Sequence, residues 1–268
     1  KSIHMKKFYV LLGFVALFAV NAMAQGSWLM GGEFQFRQYP NDPNKVIVTL
    51  NLYRQRQAGG FPASTSVRIY YNAVSCCLKT LETQVLPRVN ALSGKEVTPL
   101  CPFNPILTTC TLPSSSAPGA RIYVYADTIN LKGLKCCDWR FRYTGPALDT
   151  VPEPSPPTSP PNPWMIRSGA RNIGAAGENK YFTLVGTYCN LIPTTCGGST
   201  YVGNTSPLYV GNPIIYLCEG QDREIELGYY DVDGDILKFE PTQPLGKDPS
   251  TPLNFANGAS FTDPFGPQ

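Results

Sequence analysis

The sequence predicts an all-β protein made of two antiparallel, immunoglobulin-like β-sandwiches stapled by disulfides. Three observations carry that expectation. Apolar and polar residues alternate with a period of two along most apolar segments, Gly 24 and Pro 26 punctuate those segments as turns, and Cys 9 follow what reads as an export leader. Helical periodicity is nearly absent.

The leader comes first. Met5-Lys6-Lys7 is a basic start, residues 8–20 are an almost unbroken apolar run, and Ala22-Met23-Ala24 before Gln25 is a small-x-small cleavage site. Residues 1–24 are therefore expected to be leader and signal peptide, with residues 1–4 as upstream translated sequence or an expression remnant. The apolar run is short for a span, and no second stretch of about 18 apolar residues follows it. An uncleaved anchor is the alternative reading of the same residues. Cleavage would leave the chain secreted and cell-surface associated, without membrane insertion.

The strand candidates then follow in order. Phe34 with Phe36 opens the series. Val46, Val48, Leu50 and Leu52 alternate with Ile47, Thr49, Asn51 and Tyr53, the period of a half-buried strand. Val67, Ile69 and Tyr71 repeat the pattern. Residues 78–86 are the one helical prospect, a couple of turns that Pro87 would stop. Further strands are expected at residues 121–126, at Trp139, Phe141 and Tyr143 alternating with Asp138, Arg140 and Arg142, at 181–188, at 225–229 and at 237–239.

Residues 151–163, rich in Pro with Ser and Thr, favour extended polyproline geometry and cannot pair in a central strand. They divide the chain into an expected first sandwich, 25–150, and a second, 164–268. An insertion within one larger sandwich is the other reading. Tyr201-Val202-Gly203-Asn204 recurs as Tyr209-Val210-Gly211-Asn212, which strand-turn edges explain without a repeat architecture.

Cysteines in an exported chain are expected to be oxidised. Cys101 with Cys110 and Cys189 with Cys196 are close enough in sequence to close short loops. Neighbours in a strand point to opposite faces, so the doublets Cys76-Cys77 and Cys136-Cys137 are expected to send their sulfurs to separate partners. Cys218 completes an odd count, leaving one thiol over. Zinc finds no Cys-x-x-Cys pair to support it.

Charge and histidine content narrow the functions. Removing Lys1, Lys6 and Lys7 with the leader leaves 19 basic residues against 19 acidic ones. Such a balance lacks the basic footprint of a nucleic-acid binder. His4 is the only histidine and precedes the signal peptide, so histidine-assisted nucleophiles and histidine metal centres are absent from the mature sequence. A carboxylate-based carbohydrate-active enzyme survives that filter. Asp231, Asp233 and Asp235 flank Val232 and Gly234 and place hard oxygens at every second residue, the donor type that Ca²⁺ selects. Asp233-Gly234 is equally a hairpin turn whose acids solvate the tip.

Several short motifs then stand in a telling order. Trp28-Leu29-Met30-Gly31-Gly32-Glu33, the strand ending Leu52-Tyr53-Arg54, the run Cys136-Cys137-Asp138-Trp139-Arg140-Phe141, Arg171-Asn172, Asn204-Thr205-Ser206-Pro207 and residues 231–237 are its members. This succession resembles the N-terminal region of large cell-surface proteins of gliding, Bacteroidota-type bacteria. Gln55 and Arg56 stand where the family pattern has Asp-Cys, and the Pro-rich segment lengthens the stretch before Arg171. The resemblance implies a head followed by immunoglobulin-like repeats, type IX export and a sorting domain beyond Gln268. It also implies O-glycosylation at Asp-Ser/Thr-aliphatic triplets, matched by Thr128 and Thr150.

The expected function is therefore non-enzymatic: the head or a building block of a cell-surface adhesin or extracellular filament. Its expected partners are further domains of a longer chain, other copies of itself, and surface glycans or proteins. A fibre subunit polymerising by strand exchange is the alternative.

Overall fold

Alternating burial sorts the strands into two layers. The computed structural model describes residues 29–56, 64–73, 78–98, 107–112, 115, 117, 119–145, 183–190, 204–211, 214, 227–243, 245, 252, 254–255 and 258–260. The strands are β1 (Leu29–Tyr39), β2 (Asp42–Arg56), β3 (Ser66–Ala73), β4 (Leu78–Pro87), β5 (Gly119–Asn130), β6 (Trp139–Thr144), β7 (Thr183–Tyr188), β8 (Leu208–Tyr209) and β9 (Tyr229–Tyr230). They form a three-stranded sheet in the order β1-β2-β5, a four-stranded sheet in the order β4-β3-β6-β7, and the small pair β8-β9. Every pairing between these strands is antiparallel. The protein is thus all-β among the described residues, as the sequence predicts.

β1 and β2 form a hairpin in which Tyr39 pairs with Asp42, leaving Pro40 and Asn41 as the loop. Asn41 takes a left-handed φ of 60°, which an asparagine tolerates better than most side chains. On β2 the period of two sends Val46, Val48, Leu50 and Leu52 into the core. The facing layer supplies Val67, Ile69 and Tyr71 from β3 and Trp139, Phe141 and Tyr143 from β6. Phe36 of β1 reaches across to Phe141, with ring centroids 4.9 Å apart, and Tyr71 stacks on Phe141 at 5.6 Å. Gly186 of β7 makes this possible, because a Cβ there would meet the Phe36 ring at 2.7 Å.

The buried Asn190 locks the β6–β7 end of this core. Its Oδ1 accepts from Trp139 Nε1 at 2.9 Å and from the Cys136 backbone N–H at 2.8 Å, while its Nδ2 donates to the carbonyls of Leu134 and Pro43 at 2.7 and 3.2 Å. The two bonds to Oδ1 are buried, so the Trp139 and Cys136 N–H groups depend on this one amide, while the two from Nδ2 are part-buried.

The structure corrects several expectations. Residues 78–87 are strand, not helix: β4 pairs with β3 from Ser66–Pro87 to Ala73–Leu78. β7, which follows residues 151–163, pairs with β6, which precedes them. Residues 151–163 themselves lie outside the described residues. Near the acidic loop, among the described residues, Tyr229–Tyr230 is strand before it, and residues 227–228 and 236–240 are irregular chain where the sequence predicts strand.

Strand pairing also chooses the disulfide partner. Cys137 is bonded to Cys189, 52 residues away, because β6 and β7 run side by side and Trp139 pairs with Tyr188. Cys189 therefore does not close the short loop to Cys196. Cys136 is disulfide-bonded as well. Cys110 is a free, buried thiol rather than the partner of Cys101. Cys76, Cys77, Cys101, Cys196 and Cys218 lie outside the described residues.

Loops cover two of the sheet margins. Residues 88–98 run along β5, where Val89 and Gly94 donate to the carbonyls of Val124 and Ile122, and Ile122 donates back to Lys95. At β1, Ser206 N–H donates to the Phe36 carbonyl at 2.9 Å, and Phe36 N–H donates to Ser206 Oγ at 2.7 Å. Both contacts occupy backbone groups that an edge strand otherwise leaves to solvent or to another chain.

Candidate functional site

Described polar groups converge where β1 meets the segment from residue 204 onward. β1 and β2 place Glu33 opposite Asn51, and Gly31 opposite Tyr53, on the face turned away from the main core. Glu33 Oε1 accepts from Asn51 Nδ2 at 3.0 Å, Tyr53 Oη at 3.0 Å and Gln35 Nε2 at 3.2 Å. Glu33 Oε2 accepts from Tyr229 Oη at 3.2 Å, which ties β9 to the sheet. Burial, reinforced by the Glu33 charge, pushes the Tyr53 hydroxyl far above the usual phenol range. The same causes push Tyr229 up to about 12.

Beside this node lies a cleft of about 270 Å³, lined by Glu33, Phe34, Ser206, Tyr229, Lys238 and Phe239 among others. Its walls are largely fixed by contacts already named. Tyr209 and Tyr229 meet edge to face at 4.9 Å, and Tyr229 lies 5.9 Å from Phe239. With its oxygens engaged by four donors, Glu33 is an acceptor hub that couples the three-stranded sheet to β9.

The acidic loop sits next to this node. Asp231 Oδ1 accepts from the N–H groups of Asp233 at 2.8 Å and Asp235 at 3.2 Å. Asp233 Oδ2 accepts from Thr205 N–H at 2.6 Å, and Gly234 takes a φ of 83°. The turn is thus closed by carboxylate-to-backbone bonds that a short Asp side chain makes readily. Among the described residues, no three His, Cys, Asp or Glu side chains converge where a metal ion could be held. The loop's oxygens act as turn acceptors in this arrangement.

Of the other sequence-derived positions, Thr128 lies on β5 and pairs with Ile47 of β2, and its N–H donates to Asp127 Oδ1 at 2.8 Å. Asp127 Oδ2 accepts from Gln84 Nε2 of β4 at 2.7 Å, bridging the two sheets. Thr150 is outside the described residues. Cys110 is packed where a Cβ on Gly119 would meet its sulfur at 2.6 Å, and burial pushes its thiol pKa up. A thiol held protonated in this way is a poor nucleophile.

Sequence reading did not single out Glu33 or Asn190 as polar hubs. Glu33 carried one signal, a carboxylate on the polar face of a strand whose opposite face is aromatic. Asn190 carried none, because its role depends on β6 and β7 meeting 51 residues apart in sequence. No family model, no curated protein and no solved structure matches this chain.

Proposed function

We propose that the chain is a non-enzymatic structural or adhesive module of the outer cell surface, built on an immunoglobulin-like sandwich. One observation supports this reading most directly. Strands β1, β2 and β5 form one layer and β4, β3, β6 and β7 the other, the order in which an immunoglobulin-like Greek key lays seven strands over a shared core. Such a stack transmits load between its ends and presents flat sheet faces to partners. The leader-like N-terminus and the Cys137–Cys189 bond agree with an oxidising, exported destination. The resemblance to heads of large gliding-bacterium surface proteins points the same way.

Within this reading, calcium has one role, to stiffen the loop at Asp231, Asp233 and Asp235 by offsetting their mutual repulsion. A second reading, polymerisation by exchange of chain segments, is favoured by exposed apolar side chains beyond β7, with Ile236 99% and Val210 61% accessible.

The test is a deletion of the encoding gene in the source bacterium, followed by measurement of cell attachment under flow and electron microscopy of the surface. Loss of attachment or of surface filaments is expected. Unchanged attachment with an intact surface, or hydrolysis of a polysaccharide by the purified protein, would overturn the reading.

A further inference from the structure

The two sheets treat their outer faces differently. On the three-stranded sheet the outer face is occupied: Tyr53 and Ala120 pack with Ile214, Val97 and Ile122 in a second apolar cluster, and Glu33 holds Tyr229 beside it. On the four-stranded sheet the period of two that buries Val67, Ile69, Trp139 and Phe141 turns Arg68, Tyr70, Arg140 and Arg142 outward.

These outward residues form a row. Tyr70 pairs with Arg142 and Asn72 with Arg140, so Arg140 and Arg142 are two residues apart on β6, while Arg68 lies two residues beyond Tyr70 on β3. With a rise of about 3.3 Å per residue, the cations recur about every 7 Å along the sheet, Arg68 being displaced sideways by one strand spacing. Arg142 lies over the Tyr70 ring, 5.3 Å from its centroid. Arg68 and Arg140 are exposed and make no ion pair or hydrogen bond among the described residues. Glu82 of neighbouring β4 is already held by Lys132 at 2.7 Å, and Asp138, just before β6, is engaged in an interaction of its own.

A chain whose mature charges balance overall has thus gathered three arginines on one sheet face with, among the described residues, no carboxylate bonded to them. Guanidinium groups are planar forks that pair with carboxylate or sulfate through two parallel hydrogen bonds. A row of them at regular spacing fits a linear polymer with repeated anionic groups better than a single small anion. The remaining surface decides the polymer class. Thr83 lies opposite Tyr70 and Val85 opposite Arg68 on β4, with Thr187 opposite Arg140 and Val185 opposite Arg142 on β7, so hydroxyls, an aromatic ring and apolar side chains interleave with the cations. Hydroxyls that donate and accept, together with a ring edge, suit polyhydroxylated sugar units.

From this row we infer that the outer face of the four-stranded sheet is a binding surface for acidic polysaccharide, with Arg68, Arg140 and Arg142 contacting uronate or sulfate groups. The inference rests on the adhesive reading above and gives that reading a ligand class.

The test uses the purified secreted chain and four probes: alginate, dextran sulfate, neutral dextran and poly-L-glutamate. Binding is measured by calorimetry or by retention on immobilised polymer. Alginate or dextran sulfate is expected to bind, more weakly at high salt because the contacts are screened, and neutral dextran is expected not to bind. Arg140→Ala and Arg142→Ala are each expected to weaken binding about tenfold, in line with loss of one charged hydrogen-bond pair, with the melting temperature unchanged in the exposed Arg140→Ala and slightly lowered in Arg142→Ala by loss of the Tyr70 contact. Arg37→Ala, on exposed β1 and away from this face, is the control and is expected to change affinity little.

Absence of binding to both acidic polysaccharides would overturn the inference. So would equal or tighter binding of poly-L-glutamate, which assigns the face to acidic protein, or self-association abolished by the same arginine variants. An equal loss in Arg37→Ala would reduce the effect to net charge and overturn it as well. If cells lose attachment on gene deletion while the purified chain ignores every acidic polysaccharide, the adhesive reading survives and only this ligand assignment fails.

Discussion

The seven strands of the two facing sheets and the segment from residue 204 onward are held by different physics. In the sheets, Trp139, Phe141, Leu50, Ile69 and Val48 have no measurable exposure, and their rings and branched chains interlock across the layers. Beyond β7, the two-residue strands β8 and β9 are joined to β1 by Ser206 and by the Tyr229–Glu33 bond, while Leu227, Tyr230 and Ile236 stay exposed. The first region is fixed by apolar burial throughout, the second by a few polar ties and, among the described residues, the buried anchor Ile214. The lesson is that loss of one side chain should cost much in the first and little in the second.

Trp139→Ala attacks the first region most directly and is expected to cost about 3–5 kcal/mol through the cavity it leaves. It also strips Asn190 Oδ1 of one donor. Chemical denaturation followed by tyrosine fluorescence would measure it, and a cost below about 1 kcal/mol would break the comparison, because it would mean the core is loosely packed. Asn190→Ala should come next, at roughly 2–4 kcal/mol, since it leaves the Trp139 and Cys136 N–H groups buried without acceptors. Asn190→Asp, which keeps the Oδ acceptor but loses the amide donors, would sharpen the assignment.

Gly186→Ala tests the interlock itself. A methyl group would meet the Phe36 ring at 2.7 Å, and overpacking of this kind costs about 1–3 kcal/mol. Pairing it with Phe36→Leu should recover part of the loss, measured as a double-mutant cycle.

The smallest effects belong to the second region. Tyr229→Phe removes a half-exposed tie and is expected to shift global stability by less than about 0.5 kcal/mol, while speeding proteolysis after residue 190. Its pH dependence has a definite sign. The folded pKa of Tyr229 is raised from 10.0 to about 12, so its contribution is complete below about pH 10 and fades as pH rises toward 12. Tyrosinate absorbance should accordingly appear later in the folded chain than in the unfolded one. For the acidic loop, added calcium should raise the melting temperature, and Asp233→Ala should erase the difference. A melting curve indifferent to calcium would remove the metal from the proposed function.

Much of the layer assignment was legible in the chain because an alternating strand writes its two faces into neighbouring residues. Val46 to Tyr53 and Trp139 to Tyr143 declare which side is apolar, and burial follows that side. β4 was not legible for a concrete reason. Leu78, Leu81, Val85 and Leu86 are spaced as on a helix face, yet Leu81 and Val85 are each 47% exposed on the outer side of a strand and only Leu86 is fully buried. Edge strands tolerate such apolar exposure, which erases the period. The Glu33 hub was half legible: its strand and face could be read, its partners Tyr53 and Tyr229 could not, since Tyr229 arrives from 196 residues away.

By itself, the sequence determined that strands dominate and which residues of β2, β3 and β6 turn inward, because side-chain alternation is a local property of an extended chain. Tertiary structure alone decided that β7 pairs with β6 across the Pro-rich stretch, that Cys189 joins Cys137, and that Asn190 caps Trp139. Pairing is a competition among all available strand edges, and its outcome depends on packing across the whole core, which no local pattern of residues encodes.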